Sequence, residues 1–133
     1  MSKFMREALS LAESALKEGE IPVGAVVVRN GEIAGRGSNR QIRDNDPTAH
    51  AEVVALRDAG RNEGNYRLDG AHLYVTVRPC AMCREAIRRA RIERVYYASP
   101  EAKESSHKTG YAEMEEFSKD SVVLIREFFR KKR

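Results

Sequence analysis

The pattern of apolar and polar residues along the first third of the chain predicts one helix and one hairpin. Apolar residues recur at helical spacing over residues 4–16, and Gly19 is expected to end that helix. A run of small and branched apolar residues predicts a strand over 25–29, and a second strand is expected over 32–37. Asn30-Gly31 between them is typical of a tight turn, so the two strands should be antiparallel.

The same pattern predicts two further strands, each preceded by a helix, and a closing helix. Thr48 is the expected N-cap of the first of these helices, and the next begins at Pro79-Cys80, directly after a strand. Residues 99–119 are too polar to be assigned. The remaining predicted elements are a helix carrying Val53, Val54 and Leu56, strands at 72–77 and 95–98, and a closing helix at 121–130.

This order of elements predicts an α/β fold in a single domain spanning residues 1–133. Strand–helix–strand units imply parallel neighbours, and the first hairpin adds an antiparallel edge. We therefore expect a three-layer α/β/α arrangement with a mixed sheet of four to five strands. Open α/β sheets carry their sites beyond the carboxyl ends of strands, and two helices that begin there hold the most reactive side chains of the sequence.

Those side chains are His50, Glu52, Cys80 and Cys83. Two thiolates three positions apart at a helix start can reach one metal ion, and the partial positive charge of that helix end favours the thiolates. With His50 as the third ligand, the set matches a catalytic zinc, which keeps its fourth position for water. Glu52 is then free to act as the proton shuttle. We predict one zinc ion per chain.

Other interpretations of Cys-x-x-Cys are a redox pair or half of a structural zinc site. A site with four cysteines is excluded because the chain has only two. A mixed structural site would need His72 or His107 as its fourth ligand, and neither follows the spacing of a zinc finger. A redox pair would leave His50-Ala51-Glu52 unexplained.

Composition and charge narrow the function classes. The chain is 41% hydrophobic and 7% aromatic, contains no run of roughly 18 apolar residues, and begins without the apolar segment of a signal peptide. We therefore expect no membrane segment and a reducing, cytoplasmic location. The net charge of +4 permits an acidic partner such as RNA.

The His-x-Glu and Pro-Cys-x-x-Cys motifs are the signature of zinc-dependent nucleobase deaminases. With them, the chain resembles the bacterial tRNA adenosine deaminase family, which has the cytidine-deaminase-like fold. The resemblance covers most of residues 4–98 and extends to the C-terminal end. The matching segments are Ile21-Pro22-Val23-Gly24-Ala25-Val26, Asn39-Arg40, Asp46-Pro47-Thr48-Ala49-His50-Ala51-Glu52, Asn65-Tyr66-Arg67-Leu68, Leu73-Tyr74-Val75-Thr76, Pro79-Cys80-Ala81-Met82-Cys83 and Phe128-Phe129-Arg130.

The resemblance implies a hydrolytic deaminase that converts adenosine to inosine in tRNA. It implies that His50, Cys80 and Cys83 bind zinc, that Glu52 shuttles protons, and that the protein is a homodimer with its sites near the subunit interface. It also implies that Asn39 helps to hold the substrate, although Asn39 is equally well explained as a turn residue. Pro22 and Gly24 are open to the same two interpretations, as substrate-side residues or as turn and close-packing residues.

Two features depart from that family. Arg78 stands before Pro79-Cys80, where the family usually has Glu, and the segment 99–119 is shorter than in the family. These departures leave an alternative substrate class open, namely a free base or small nucleoside such as cytosine or guanine. A non-enzymatic nucleic-acid-binding protein that keeps zinc for stability is disfavoured, because it would have no use for Glu52.

Basic residues indicate where RNA would bind. Arg84, Arg88 and Arg91 are predicted to share one stripe of a helix, and a basic run at the C-terminus is the proposed contact with phosphates. The alternative is a solvated surface on which these arginines pair with Glu85, Glu93 and Glu127. The C-terminal run consists of Arg130, Lys131, Lys132 and Arg133.

Overall fold

The structure is a computed structural model, and it describes residues 1–100, 111–116 and 118–131. Within those residues it contains four helices and five strands, and nearly all of the elements expected from the sequence are confirmed. The elements are α1 (Lys3–Lys17), β1 (Gly24–Arg29), β2 (Glu32–Ser38), α2 (Ala51–Glu63), β3 (His72–Val77), α3 (Ala81–Arg89), β4 (Arg94–Ser99), β5 (Ala112–Glu115) and α4 (Lys119–Lys131).

The five strands form one mixed sheet in the order β2-β1-β3-β4-β5. β1 is antiparallel to both β2 and β3, whereas β4 is parallel to β3 and to β5. The expected parallel neighbours therefore occur for β3–α3–β4. They do not occur for β2–α2–β3, because β1 lies between these two parallel strands and pairs with both.

Helices cover both faces of the sheet, which confirms the three-layer prediction. α2 packs on β2 and β1 and contacts α3, whereas α1 packs on β1 and β3 and contacts α4. Successive β1 side chains therefore alternate between two helical layers, as the period of a strand requires. Val27 belongs to the larger core beside α2, and Met5 and Ala8 of α1 form a smaller core with Ala98.

Two glycines allow helices to approach the sheet closely. A Cβ atom on Gly37 of β2 would lie 2.4 Å from the carbonyl oxygen of Ala51, at the first turn of α2. A Cβ atom on Gly24 would lie 2.0 Å from the carbonyl oxygen of Ala8 in α1. Gly37 thus fixes the height of the α2 start above the sheet, and Gly24 has the close-packing role that the sequence left open.

The predicted N-cap of α2 is wrong: the cap residue is His50, and Thr48 lies outside the helix. The backbone N–H and the hydroxyl of Thr48 both donate to Oδ1 of Asp46, at 2.9 and 2.8 Å. These bonds hold Thr48 in the turn that precedes the helix, so its hydroxyl is unavailable to the first turn of α2.

Within its described residues, the segment 99–119 that the sequence left unassigned contains the strand β5. β5 runs parallel to β4, with Tyr96 opposite Met114. The closing helix is confirmed and begins two residues earlier than expected, at Lys119. Among the described residues, no helix is long and apolar enough to cross a membrane.

Candidate metal centre and active site

The structure brings His50, Cys80 and Cys83 together at one end of the sheet. Nδ1 of His50 lies 3.6 Å from Sγ of Cys80 and 3.4 Å from Sγ of Cys83. The three potential ligand atoms all lie within 4.8 Å of one another. Among the described residues, this is the one group of His, Cys and acidic side chains with the geometry of a metal site.

The distances in this group fit a tetrahedral zinc site. Zinc–nitrogen and zinc–sulfur bonds of about 2.0 and 2.3 Å place nitrogen and sulfur about 3.5 Å apart at a tetrahedral angle. The two nitrogen–sulfur distances here are 3.6 and 3.4 Å. Two thiolates and one imidazole also form the donor set of known catalytic zinc sites, so the residues fit this metal without rearrangement.

Both ligand-bearing segments are helix starts, as the sequence predicted. His50 is the N-cap of α2 and Cys80 the N-cap of α3, and both residues have extended backbone conformations. An extended cap residue lets its side chain turn away from the helix axis, while the helix fixes the residues that follow. Cys83 lies in the first turn of α3 and is buried, which places its sulfur beside that of Cys80.

A hydrogen bond joins the side chains of the two cysteines. The Cys83 thiol donates to the Cys80 sulfur, and backbone amides of Cys83 and Met82 also point to that sulfur. These contacts lower the pKa of Cys80 to about 5, while the same hydrogen bond and burial raise the pKa of Cys83. A divalent cation would replace the proton of the Cys83 thiol, because metal ligands must be deprotonated.

Glu52 lies beside the cysteines but outside the ligand group. It is 4% exposed, and burial raises the pKa of its carboxyl group to about 7. The carboxylate also contacts the thiol of Cys83. A buried carboxyl group with a pKa near neutrality can both accept and release a proton at physiological pH, which is the requirement for general acid–base catalysis.

Asn39 is buried at the end of β2 and contacts the start of α2. Its Oδ1 accepts a hydrogen bond of 2.8 Å from the backbone N–H of Ala51. Its Nδ2 donates to Oε1 of Gln41 at 3.3 Å. The side chain therefore satisfies an amide that the His50 side chain does not cap, and Asn39 is more than a turn residue.

Of the two histidines considered as a fourth structural ligand, His72 lies outside this group of ligands. His72 lies on β3, with Nε2 3.4 Å from Oε2 of Glu93. His107 lies outside the described residues.

The predicted basic stripe on α3 is not formed. Arg84 is only 5% exposed, and Arg91 lies beyond the end of α3 with a left-handed φ of 69°. Arg88 is exposed and pairs with Glu85, whose Oε2 is 2.5 Å from Nη2. At the C-terminus, Arg130 pairs with Glu127 at 2.7 Å. The side chain of Lys131 and residues Lys132 and Arg133 lie outside the described part of the chain.

Sequence reasoning missed two carboxylates near the site. Glu20 is 2% exposed and accepts hydrogen bonds from the backbone amides of Ile42 and Arg43, at 3.2 and 2.7 Å, so it holds the loop between β2 and α2. Glu113 on β5 binds Arg78 and Arg84. Glu20 stands next to an apolar segment, which is a weak signal of burial, whereas Glu113 gives no signal in its polar surroundings.

Comparison with known proteins places these features in a family. The family model described as the cytidine and deoxycytidylate deaminase zinc-binding region matches residues 1–99. A tRNA-specific adenosine deaminase of Streptococcus pyogenes is 47% identical over 100 residues, which are 75% of this chain and 63% of that protein. The chain thus spans less than two thirds of the length of that relative.

Two solved structures resemble the fold closely. One comes from studies of A-to-I editing by tRNA:A34 deaminases at the wobble position of transfer RNA. The alignment with it has a TM-score of 0.81 and 37% sequence identity, and it covers 91% of this chain and 97% of the solved chain. The other is a guanine deaminase of Bacillus subtilis, with a TM-score of 0.70 and 44% identity, covering 74% of this chain and 65% of that chain.

Proposed function

Because the chain belongs to the cytidine and deoxycytidylate deaminase family, we propose that it is a zinc-dependent hydrolytic deaminase that converts adenosine in tRNA to inosine. The observation that carries the proposal is the joint placement of three zinc ligands and a buried, unligated carboxylic acid at two helix starts. A structural zinc site would need a fourth protein ligand and would have no use for the acid. The similarity to tRNA adenosine deaminases supports the choice of substrate.

His50, Cys80 and Cys83 would hold the zinc, and the donor set leaves the fourth position for water. Zinc held in this way supplies a Lewis acid that lowers the pKa of a bound water to about 7. The protein's part is to fix the ligands on two rigid helices and to keep the surroundings of the site largely dry.

Glu52 is the residue that moves protons in this proposal. Its carboxylate takes a proton from the attacking water and delivers a proton to the amino group on C6 of adenine, which leaves as ammonia. The net reaction consumes one water and returns Glu52 to its starting state. Burial supports this role, because it raises the pKa of the Glu52 carboxyl group to about 7. The group can therefore take up and release a proton at neutral pH.

Asn39 would serve both the helix and the substrate. Its Oδ1 is engaged by Ala51, so a contact with base or ribose would come from the Nδ2 amide group, which donates to Gln41 at 3.3 Å. Exchange of the Gln41 contact for a substrate oxygen would leave the helix contact intact.

The substrate proposal is tested by measuring ammonia release and inosine formation with a tRNA transcript, free adenosine, cytosine and guanine. We expect inosine in the tRNA and little ammonia from the free bases. Adenosine in a loop is the favoured form, because a loop base is extruded at a lower unstacking cost than a paired one. Absence of inosine in every tRNA tried, together with a rapid reaction of a free base, would contradict the proposal.

Guanine is the alternative substrate with specific support. A guanine deaminase of Bacillus subtilis is 44% identical over 74% of this chain. The assay above separates the two candidates directly, since rapid ammonia release from guanine without inosine in tRNA favours the alternative.

A homodimer is the proposed assembly, with a second copy of the chain in an apolar groove between α2 and α3. The groove has a volume of about 820 Å³ and is lined by apolar residues that include Val53, Leu56 and Leu68. Tyr66 in its lining is 82% exposed, and tyrosine is among the residues enriched at protein–protein interfaces. Sedimentation of the wild type and of Leu56→Glu tests this assignment. We expect the mass of a dimer for the wild type and of a monomer for the variant, and equal masses would count against it.

RNA contacts are proposed for the basic C-terminal run, Arg130 to Arg133, and a cytoplasmic location follows from a tRNA substrate. Arg130 is 71% exposed and can exchange its pairing with Glu127 for a phosphate. Removal of the run should weaken RNA binding and flatten its salt dependence.

We further propose that residues 1–133 form one catalytic domain, which the core shared by α2, β3, α3 and β4 supports.

A further inference from the structure

One carboxylate on β5 binds arginines from both sides of the cysteine motif. Oε1 of Glu113 lies 3.1 Å from Nε of Arg78, and Oε2 lies 3.3 Å from Nε of Arg84. The hydroxyl of Tyr111 donates to Oε2 at 2.9 Å. Each carboxylate oxygen is therefore used by a different arginine, and the two arginines are held at a fixed separation.

These groups are largely withdrawn from solvent. The side chains of Arg84 and Glu113 are 5% and 11% exposed, and that of Arg78 is 27% exposed. The guanidinium of Arg78 also lies over the ring of Tyr97, 5.7 Å from its centre. Burial favours this one arrangement of the side chains, because breaking a buried ion pair strongly destabilises the folded protein.

The two arginines flank the cysteine ligands in sequence and in space. Arg78 precedes Pro79-Cys80, and its backbone N–H donates to the carbonyl of Ser99 on β4. Arg84 follows Cys83 directly, and its backbone N–H donates to the carbonyl of Cys80 at 2.9 Å. Because Glu113 contacts the residues on either side of this turn, its two ion pairs span the whole segment that carries both sulfur atoms.

Glu113 also has an unusual place in its strand. β5 contains four residues, and Glu113 is the half-buried one, whereas the other three are exposed. An edge strand normally turns an apolar side chain inward. Here the inward side chain is an acid, so the contact between β5 and the α3 start depends on charge rather than on apolar packing.

We propose that Glu113 is a positioning residue for the two cysteine ligands: through Arg78 and Arg84, it holds the turn from Pro79 to Cys83 at the separation that the metal requires. The inference rests on the proposed zinc centre but not on the identity of the substrate. Glu113 touches neither the ligands nor the reacting atoms, and it acts through the two arginines alone.

The test uses the full chain loaded with Co²⁺ in place of zinc, because the visible absorption of Co²⁺ reports the geometry of thiolate ligands. For Glu113→Gln we expect altered absorption bands and roughly tenfold faster loss of Co²⁺ to EDTA, the lower end of the effect of residues that support metal ligands. Glu63→Gln is the matched control. It removes an ion pair with Arg29, which has a 2.9 Å contact at the opposite end of α2, and it should leave the bands and the release rate unchanged.

A second variant covers the case in which Glu113→Gln does not fold because Arg84 loses this ion pair. The double variant Glu113→Gln/Arg84→Met removes both buried charges and should show the same faster release. Wild-type bands and release rates in a variant that takes up Co²⁺ would overturn the inference, even if its melting temperature is lower. If the wild type itself takes up no Co²⁺ or zinc, the proposed metal centre fails first.

Discussion

The starts of α2 and α3 build one site by different means. At α2, the cap residue His50 turns its ring to the metal site and makes no capping hydrogen bond, so the first amide of the helix is satisfied by Asn39. At α3, the side chain of the cap residue Cys80 likewise makes no capping hydrogen bond, but the amides of Met82 and Cys83 point towards its sulfur and help to lower the pKa of that thiol. The amides at the α3 start thus favour the thiolate that a metal needs, whereas the first amide of α2 is satisfied by a side chain from outside the ligand group.

We therefore expect substitutions of these residues to affect different properties of the protein, namely metal binding, turnover or stability. Loss of a sulfur removes a metal ligand, loss of Glu52 affects only the chemistry, and loss of Asn39 affects the stability of the α2 start in addition to its proposed substrate contact. Thr48, which looks like a cap in the sequence, should affect none of these. Four substitutions therefore test the comparison, from the largest expected effect to the smallest.

Cys83→Ala should abolish stoichiometric zinc binding and all turnover, because two ligands and a cavity remain where three ligands were held. Zinc content after purification and dialysis is the measurement. Met82→Ala, a substitution of an exposed neighbour in the same turn, should retain full zinc. Full zinc occupancy in Cys83→Ala would remove Cys83 from the ligand set.

Glu52→Gln should lower the turnover rate by about 10²–10⁴-fold, the usual contribution of general acid–base catalysis, while zinc content stays at the wild-type level. The substitution keeps the shape of the side chain and removes only its ability to exchange protons. Turnover within a few-fold of the wild type, at equal zinc content, would exclude Glu52 as the proton shuttle.

Asn39→Ala should destabilise the protein by about 1–3 kcal/mol, the cost of leaving a buried amide without its acceptor. Urea denaturation of the zinc-loaded protein measures this free energy of unfolding. Asn62→Ala, which removes an exposed hydrogen bond to the carbonyl of Ala34, should stay within about 0.5 kcal/mol of the wild type. Equal effects of the two substitutions would argue against a supporting role of Asn39 at the α2 start.

Thr48→Ala should change the free energy of unfolding by no more than about 0.5 kcal/mol, as for an ordinary surface position. An N-cap threonine would lose about 1 kcal/mol on the same substitution. The denaturation experiment used for Asn39 distinguishes these values, and a loss of the larger size would restore Thr48 as a cap.

Much of the fold could be predicted from the sequence, because residues 4–98 alternate in clear helical and strand periods. The three ligands and Glu52 were also identifiable, since short motifs fix their spacing. Thr48 was misassigned because its bonds to Asp46 depend on the local turn. β5 alternates apolar and polar residues over only four positions, and it turns the acid Glu113 inward rather than an apolar side chain. The pairing of β3 with β1 is set by packing between distant segments. Burial of Arg84 likewise depends on Glu113, which is 29 residues away in sequence.

The central claim, that two helix starts form one catalytic zinc centre, is tested most directly by zinc titration of the metal-free protein. Zinc is removed with a chelator and returned in steps, and zinc content and ammonia release are measured on the same samples with the preferred substrate. We predict no release without zinc and a linear return of activity that ends at one zinc ion per chain. Full activity in the metal-free protein, or zinc uptake to one per chain without any activity on the tRNA, nucleoside and base substrates, would contradict the account.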